Sequence, residues 1–290
     1  MYAVLGGTGQ VGGAVVRYLR SQGKQVRAVV RNATRAEGLK RQGAELAIGD
    51  VHDPDSLRRA FAGTEGAFVM TPPYYDSNDP LSDNRRAVTA VTEAAHESGL
   101  AKLVFLSSVG AQRDRGTGAI GKLHEAEVQW LDLGLPVAAI RAAWFMENFS
   151  SLIPIAREHG TLPSVLSDVN RPIAMIATDD IGRLAADLLV AEWPGKRVLE
   201  LEGPRRYAMS DVAEELGAVL GHTVGTEVVP PEKHMGIYES AGMTPSAASE
   251  MAEMIQGLNS GWVDFEGAGT EHVHGPTELR TVLEQLASGK

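Results

Sequence analysis

Three glycines, Gly6, Gly9 and Gly12, recur at intervals of three in Gly6-Gly7-Thr8-Gly9-Gln10-Val11-Gly12, near the start of a 290-residue chain. A turn built this way lets backbone approach a ligand without side-chain clash. Tyr2-Ala3-Val4-Leu5 before it reads as a short buried strand, and Val11, Val15, Val16 and Leu19 after it recur at helical spacing. A strand, a glycine turn and a helix in that order make an anion cradle. The first N–H groups of a helix have no internal partner, and the helix dipole favours negative charge beside them. The chemistry is phosphate binding. The pattern is G-x-x-G-x-x-G, a variant of the commoner G-x-G-x-x-G.

A second group sits where Gln25–Val30 reads as the next strand, ending in Arg31-Asn32. In a dinucleotide site the residue at that strand end lies beside the adenosine ribose. A carboxylate there accepts from a free 2′-hydroxyl, whereas an arginine suits a 2′-phosphate through charge-assisted hydrogen bonds. Arg31, with Arg35 as a second contact, points to NADP(H), with NAD(H) as the alternative; two solvated loop arginines are the plainer reading. Ala44–Ile48 is a third strand, and Asp50 and Val51 after it are placed to hold an adenine, Asp50 by hydrogen bond and Val51 by packing. Asp50 reads equally well as a capping residue. Asp53 is a good N-cap before Pro54 at the first helical position.

The elements that position these groups alternate. Gly66–Met70 is strand four, and Thr71-Pro72-Pro73 stiffens its exit over the cleft beyond the strand ends. Pro80–Ser98 is a helix, Lys102–Leu106 strand five ending in Ser107-Ser108, Gly118–Leu133 a helix, and Pro136–Ile140 strand six. Further on, Thr178 opens a helix to about Glu192 and Val198–Leu201 is strand seven. The expected fold is α/β: a Rossmann doubly wound parallel sheet with a smaller, mostly helical domain on the substrate side. Residues 1–150 form the dinucleotide-binding domain, completed by about 172–203, and 151–171 with 204–290 form the smaller one.

The net charge of −10 falls almost wholly after residue 150. A near-neutral first half suits an anionic cofactor, and an acidic second half repels nucleic acid and anionic lipid. Absence of cysteine excludes disulfides and thiolate chemistry. No apolar run reaches spanning length, so no membrane partner and a cytoplasmic location are expected. His272 and His274 have metal-ligand spacing but read as two surface histidines with no carboxylate cluster beside them, so no metal is expected. Met235, Tyr238, Met243, Met251, Met254 and Trp262 suit either a pocket for a flat aromatic molecule or a helix–helix core, the core being the better reading.

On GGTGQVG, the Arg31-ended strand, GDVHDPDSL, the TPP exit, LSSVGA and RAAWFMENF, the chain resembles the NmrA-like family, an atypical branch of the short-chain dehydrogenases/reductases. It is most similar to the quinone- and azo-dye-reducing members. The resemblance implies that Gly6, Thr8, Gly9, Gln10, Val11 and Gly12 hold a pyrophosphate and Arg31 the 2′-phosphate. It also implies that Thr71, Pro72, Ser107 and Ser108 lie near the nicotinamide ribose, and Phe145 and Asn148 near the substrate. The superfamily's Tyr-x-x-x-Lys pair is missing, since none of Tyr2, Tyr18, Tyr74, Tyr75, Tyr207 and Tyr238 is followed four residues later by lysine. Some relatives use a lysine near the position of Lys122, which makes Lys122 the candidate acid; a surface lysine paired with Glu125 is the equal alternative.

Without that tyrosine, an acceptor that is itself an electron sink is favoured. The expected function is an NAD(P)H-dependent reductase, NADPH preferred, acting on a quinone, azo compound or similar small aromatic molecule as monomer or homodimer. The rival is a non-catalytic NADP(H)-sensing regulator acting through a protein partner.

Overall fold

The computed structural model describes residues 1–289, with Arg35 described by its backbone alone. The first half is a run of strands and helices: β1 (Tyr2–Leu5), α1 (Gln10–Ser21), β2 (Val26–Val30), α2 (Glu37–Arg41), β3 (Glu45–Ile48), α3 (Pro54–Phe61), β4 (Gly66–Val69), α4 (Pro80–Ser98), β5 (Leu103–Ser108), α5 (Gly121–Trp130) and β6 (Val137–Ala142). Then come β7 (Trp144–Phe145), α6 (Ile153–His159), β8 (Thr161–Ser164), β9 (Met175–Ile176), α7 (Thr178–Val190), β10 (Lys196–Glu202), α8 (Met209–Leu220), β11 (Gly225–Val228), α9 (Pro231–Ser240), α10 (Pro245–Ser260), β12 (Glu271–His274) and α11 (Leu279–Ala287).

Eight strands form one sheet in the order β3-β2-β1-β4-β5-β6-β10-β12, parallel throughout. Connections reverse direction between β1 and β4. That reversal opens a crevice at the carboxyl ends of the strands, where sheets of this kind bind ligands. Both faces are buried, and strand residues alternate between them. Val4, Val104 and Ile140 pack on the face covered by α1 and α7. Leu5, Phe105 and Ala139 pack on the face covered by α3, α4 and α5, where Phe105 meets Trp130 edge-to-face at 5.0 Å. The α1–α7 contact demands glycine: a β-carbon on Gly182 would stand 2.3 Å from that of Ala14.

A third apolar cluster gathers α6, α8, α10 and α11 with the small parallel pair β8–β11. Two departures from the sequence reading stand out. Residues 271–274, read there as part of the smaller helical unit, form β12 on the edge of the large sheet, pairing with β10. The helix expected over 118–133 is a short 3-10 turn at Gly118–Ile120 followed by α5, which ends at Trp130. Asp53 caps α3 as expected, its Oδ1 accepting from the Ser56 N–H at 3.2 Å.

Candidate active site

The glycine turn lies at the carboxyl end of β1, on one side of the crevice. Gly6 adopts φ +68°, and the Gly9 N–H closes the turn on the Gly6 carbonyl at 2.8 Å. At Gly12 a β-carbon would stand 2.2 Å from that same carbonyl oxygen, so any side chain there would force the turn apart. Gly9 caps α1 without a side-chain acceptor, and no acidic residue stands in the first turn. The N–H groups of Gln10, Val11 and Gly12 therefore meet no acceptor among the described residues. Thr8 and Gln10 are exposed, while the Val11 side chain is buried in the core and only its backbone faces outward. A pyrophosphate fits this turn: free donors, a favourable dipole and no competing carboxylate.

Arg31 stands exposed at the end of β2, with no hydrogen bond or ion pair among the described residues. The Arg35 side chain lies outside the described residues. Asp50 is engaged locally. Its Oδ1 accepts from the His52 backbone N–H at 2.9 Å and faces the His52 ring at 3.0 Å, and that backbone bond is the main reason its pKa is lowered. Val51 is half-buried against the α3 side of the core. His52 reaches on to the Tyr74 hydroxyl at 3.2 Å, and Tyr74 is the one non-glycine described with positive φ, +56°.

Beyond the turn, at the ends of β4, β5 and β6, a mostly apolar cavity of about 800 Å³ opens. That is ample for a nicotinamide and a flat acceptor. Thr71, Pro72, Ser107, Ser108, Lys122, Phe145 and Asn148 all line it, so the cavity brings together every residue that was expected on this side. Its roof comes from α9 and α10. Tyr238, Met243, Met251 and Met254 line the cavity, and Tyr238 and Met254 also pack against the third apolar cluster, so for those two both readings hold. Met235 and Trp262 do not line it; Trp262 is exposed under the Arg113 guanidinium at 4.1 Å. The loop after β4 is tied to this roof, the Thr244 N–H donating to the Tyr75 carbonyl at 2.9 Å. Burial pushes the Tyr238 phenol up to about 12, so it stays protonated at neutral pH.

Lys122 is buried, and its ammonium pairs with Glu250 of α10. The alternative partner, Glu125, is instead taken by Arg85 at 2.7 Å. Asn84 fixes the start of α5, donating to the Lys122 carbonyl at 2.8 Å. His124 is structural, its Nδ1 2.8 Å from the Ala111 carbonyl.

Beneath the cavity lies a buried charge network with no counterpart in the sequence reading. Ser107, Arg141 and Glu200 occupy registered positions on β5, β6 and β10, in one row across the α5 face of the sheet. The Arg141 guanidinium grips Glu127 with two hydrogen bonds, 3.0 and 2.7 Å, and reaches Glu266 at 2.9 Å. Burial alone would lower the Arg141 pKa; the carboxylates more than offset it, and the pKa is raised. Glu127 in turn accepts from the Ser107 hydroxyl, and Glu200 accepts from the Glu266 and Gly267 N–H groups. The network holds Ser107 in one orientation at the cavity floor. Single charged residues in apolar strands were the only signal for it.

Fold and crevice together define a Rossmann-like α/β protein with an anion-binding turn at one side of an apolar cavity. The chain belongs to the NmrA-like family, whose profile matches residues 2–273. It is 27% identical to the NAD(P)H azoreductase of Xenophilus azovorans over 88% of this chain and 86% of that protein. It is 26% identical to quinone oxidoreductase 2 of Escherichia coli (strain K12), over 90% and 89%. Among solved structures, the NADPH complex of an NADPH-dependent quinone oxidoreductase from Escherichia coli superposes with a TM-score of 0.81 at 24% identity, covering 99% of each chain. Triphenylmethane reductase from Citrobacter sp. gives 0.81 at 22%, again over 99% of each. Among the described residues, no helix is long and apolar enough to cross a membrane.

Proposed function

We propose that this protein, an NAD(P)H-dependent reductase by kinship, uses NADPH to reduce a flat, electron-poor aromatic acceptor such as a quinone or azo compound. The observation carrying this reading is the cavity: about 800 Å³ of mostly apolar space, opening at Ser107 and Ser108 where the crevice from the glycine turn ends.

In this reading the N–H groups of Gln10, Val11 and Gly12 hold the pyrophosphate, with Thr8 beside them. Arg31 binds the 2′-phosphate, and Val51 packs on the adenine beside Asp50. Thr71, Pro72, Ser107 and Ser108 position the nicotinamide ribose. The nicotinamide supplies the hydride. Phe145 stacks on the acceptor and the Asn148 amide, unpaired among the described residues, donates to its polar edge. The methionines and Tyr238 close the roof and exclude water, which concentrates the effect of the few charges left inside. Lys122 holds the proton that the reduced acceptor takes up, and Glu250 keeps that ammonium aimed at the cavity wall.

Purified protein mixed with NADPH and a panel of benzoquinones, naphthoquinones and azo dyes tests this by loss of absorbance at the nicotinamide band. Oxidation above the protein-free rate is expected with at least one acceptor class. Bound NADPH that no acceptor oxidises would return the protein to the sensor reading.

A further inference from the structure

The two histidines at the sheet's edge are not alone. His272 and His274 alternate along β12 and so share one face, and β12 pairs in register with β10, setting Glu202 directly opposite His274. The Glu202 carboxylate is buried, and its Oε1 lies 2.8 Å from His272 Nε2. The three side chains each offer one ligand atom, and these atoms lie within 4.8 Å of one another. The carboxylate that the sequence seemed to lack comes from a strand about seventy residues earlier.

We propose that Glu202, His272 and His274 form a site for a divalent transition metal of the zinc class. Two imidazoles and one carboxylate are a donor set that Zn2+ takes readily, with metal–ligand bonds of about 2.0–2.2 Å. The surroundings orient the donors. His274 Nδ1 lies 2.9 Å from the Gly203 carbonyl, so that nitrogen carries the proton and Nε2 keeps its lone pair for the metal. Arg206 holds the other carboxylate oxygen, Oε2, at 3.0 Å and is itself held by Asp264 with two hydrogen bonds of 3.0 Å. Glu202 is thereby a monodentate ligand with Oε1 turned to the histidines. The rings stand 4.8 Å apart, with Phe265 against His272 at 5.8 Å as an apolar wall. Both imidazoles are exposed, which gives the cation an entry path and leaves a coordination position to water.

The metal would clamp the edge strand. β12 joins the sheet through a single neighbour, and a cation bridging His274 to Glu202 ties the two strands by their side chains. Arg206 and Asp264 also line the cavity, so the clamp bears on its rim while taking no part in hydride transfer.

The test uses full-length protein carrying no histidine tag and stripped with a chelator, titrated calorimetrically with Zn2+ alone. One equivalent per chain is expected, with a dissociation constant on the order of 10 μM. Co2+ should give a visible absorption band of tetrahedral or five-coordinate intensity. The double variant His272→Ala/His274→Ala, both at exposed positions, should weaken binding at least about a hundredfold, remove the band and abolish any rise in Tm on adding Zn2+. Glu202→Gln should weaken it about tenfold. No saturable binding to the unmodified protein, or binding that either the double variant or Glu202→Gln leaves unchanged, overturns the site.

Discussion

Replacing Arg141 by methionine removes the cation from a cluster that has little water to replace it. The Arg141 side chain is 7% exposed, Glu127 5% and Glu200 0%. Methionine keeps most of the volume, so the effect is electrostatic: two buried carboxylates lose their counter-charge. Removing one partner of a buried pair costs about 3–5 kcal/mol, because the charge left behind is uncompensated. Glu266 is 45% exposed and adds less, about 1 kcal/mol at most after solvent screening. For a chain of this size, that corresponds to a fall in Tm of roughly 10 °C. Thermal unfolding of Arg141→Met beside the parent measures it. The double variant Glu127→Gln/Arg141→Met should regain part of the loss. Because Glu127 also holds the Ser107 hydroxyl, both variants should bind NADPH more weakly. An Arg141→Met protein within about 1 kcal/mol of the parent at pH 8 would refute the view that this network is a closed, dry charge pair.

Other substitutions probe the site itself. Arg31→Ala should weaken NADPH by about tenfold, roughly 1.4 kcal/mol for one exposed charge-assisted contact, and leave NADH unchanged; paired fluorescence titrations distinguish the two. Lys122→Met should lower kcat by about a hundredfold with little change in the KM for NADPH, whereas loss of a merely structural ion pair would lower stability and spare kcat. Glu147, which accepts from the Thr178 N–H and hydroxyl at 2.8 and 2.7 Å, has its pKa raised, chiefly by burial. In the folded state it therefore binds its proton more tightly than in the unfolded chain, and its contribution to stability falls as pH rises through 4.5 and above. Denaturant unfolding between pH 4 and 7 should show Glu147→Gln gaining on the parent as pH rises; a parallel pair of curves would contradict it.

What could be read from the residues was what local pattern encodes. The glycine turn, the helix stripes, Asp53 before Pro54 and the strands of the first 142 residues carry their geometry in their own neighbours, and the structure forms them with shifts of a residue or two at their ends. Thr71, Pro72, Ser107 and Ser108 meet at one cavity because they lie at the carboxyl ends of β4 and β5, and in a parallel sheet such ends converge. Long-range pairing was illegible. Nothing near Lys122 announces Glu250, and nothing near His272 announces Glu202, because those contacts exist only once α10 and β10 are docked. β7 and β9, two residues each, are too short to show a period. Charged residues inside strands read as exposed until register reveals Arg141 between Ser107 and Glu200. The methionines of α10 read two ways for a related reason: Met254, Ile255 and Leu258 both pack on the core and line the cavity, which Met251 lines as well.

The role given to the first turn and Arg31 is tested most directly by calorimetric titration of the unmodified protein with NADPH and, separately, with NADH. One site per chain is expected, with NADPH bound at least about tenfold more tightly. Equal affinities would remove Arg31 from the account, and no saturable heat from either nucleotide would contradict the whole of it.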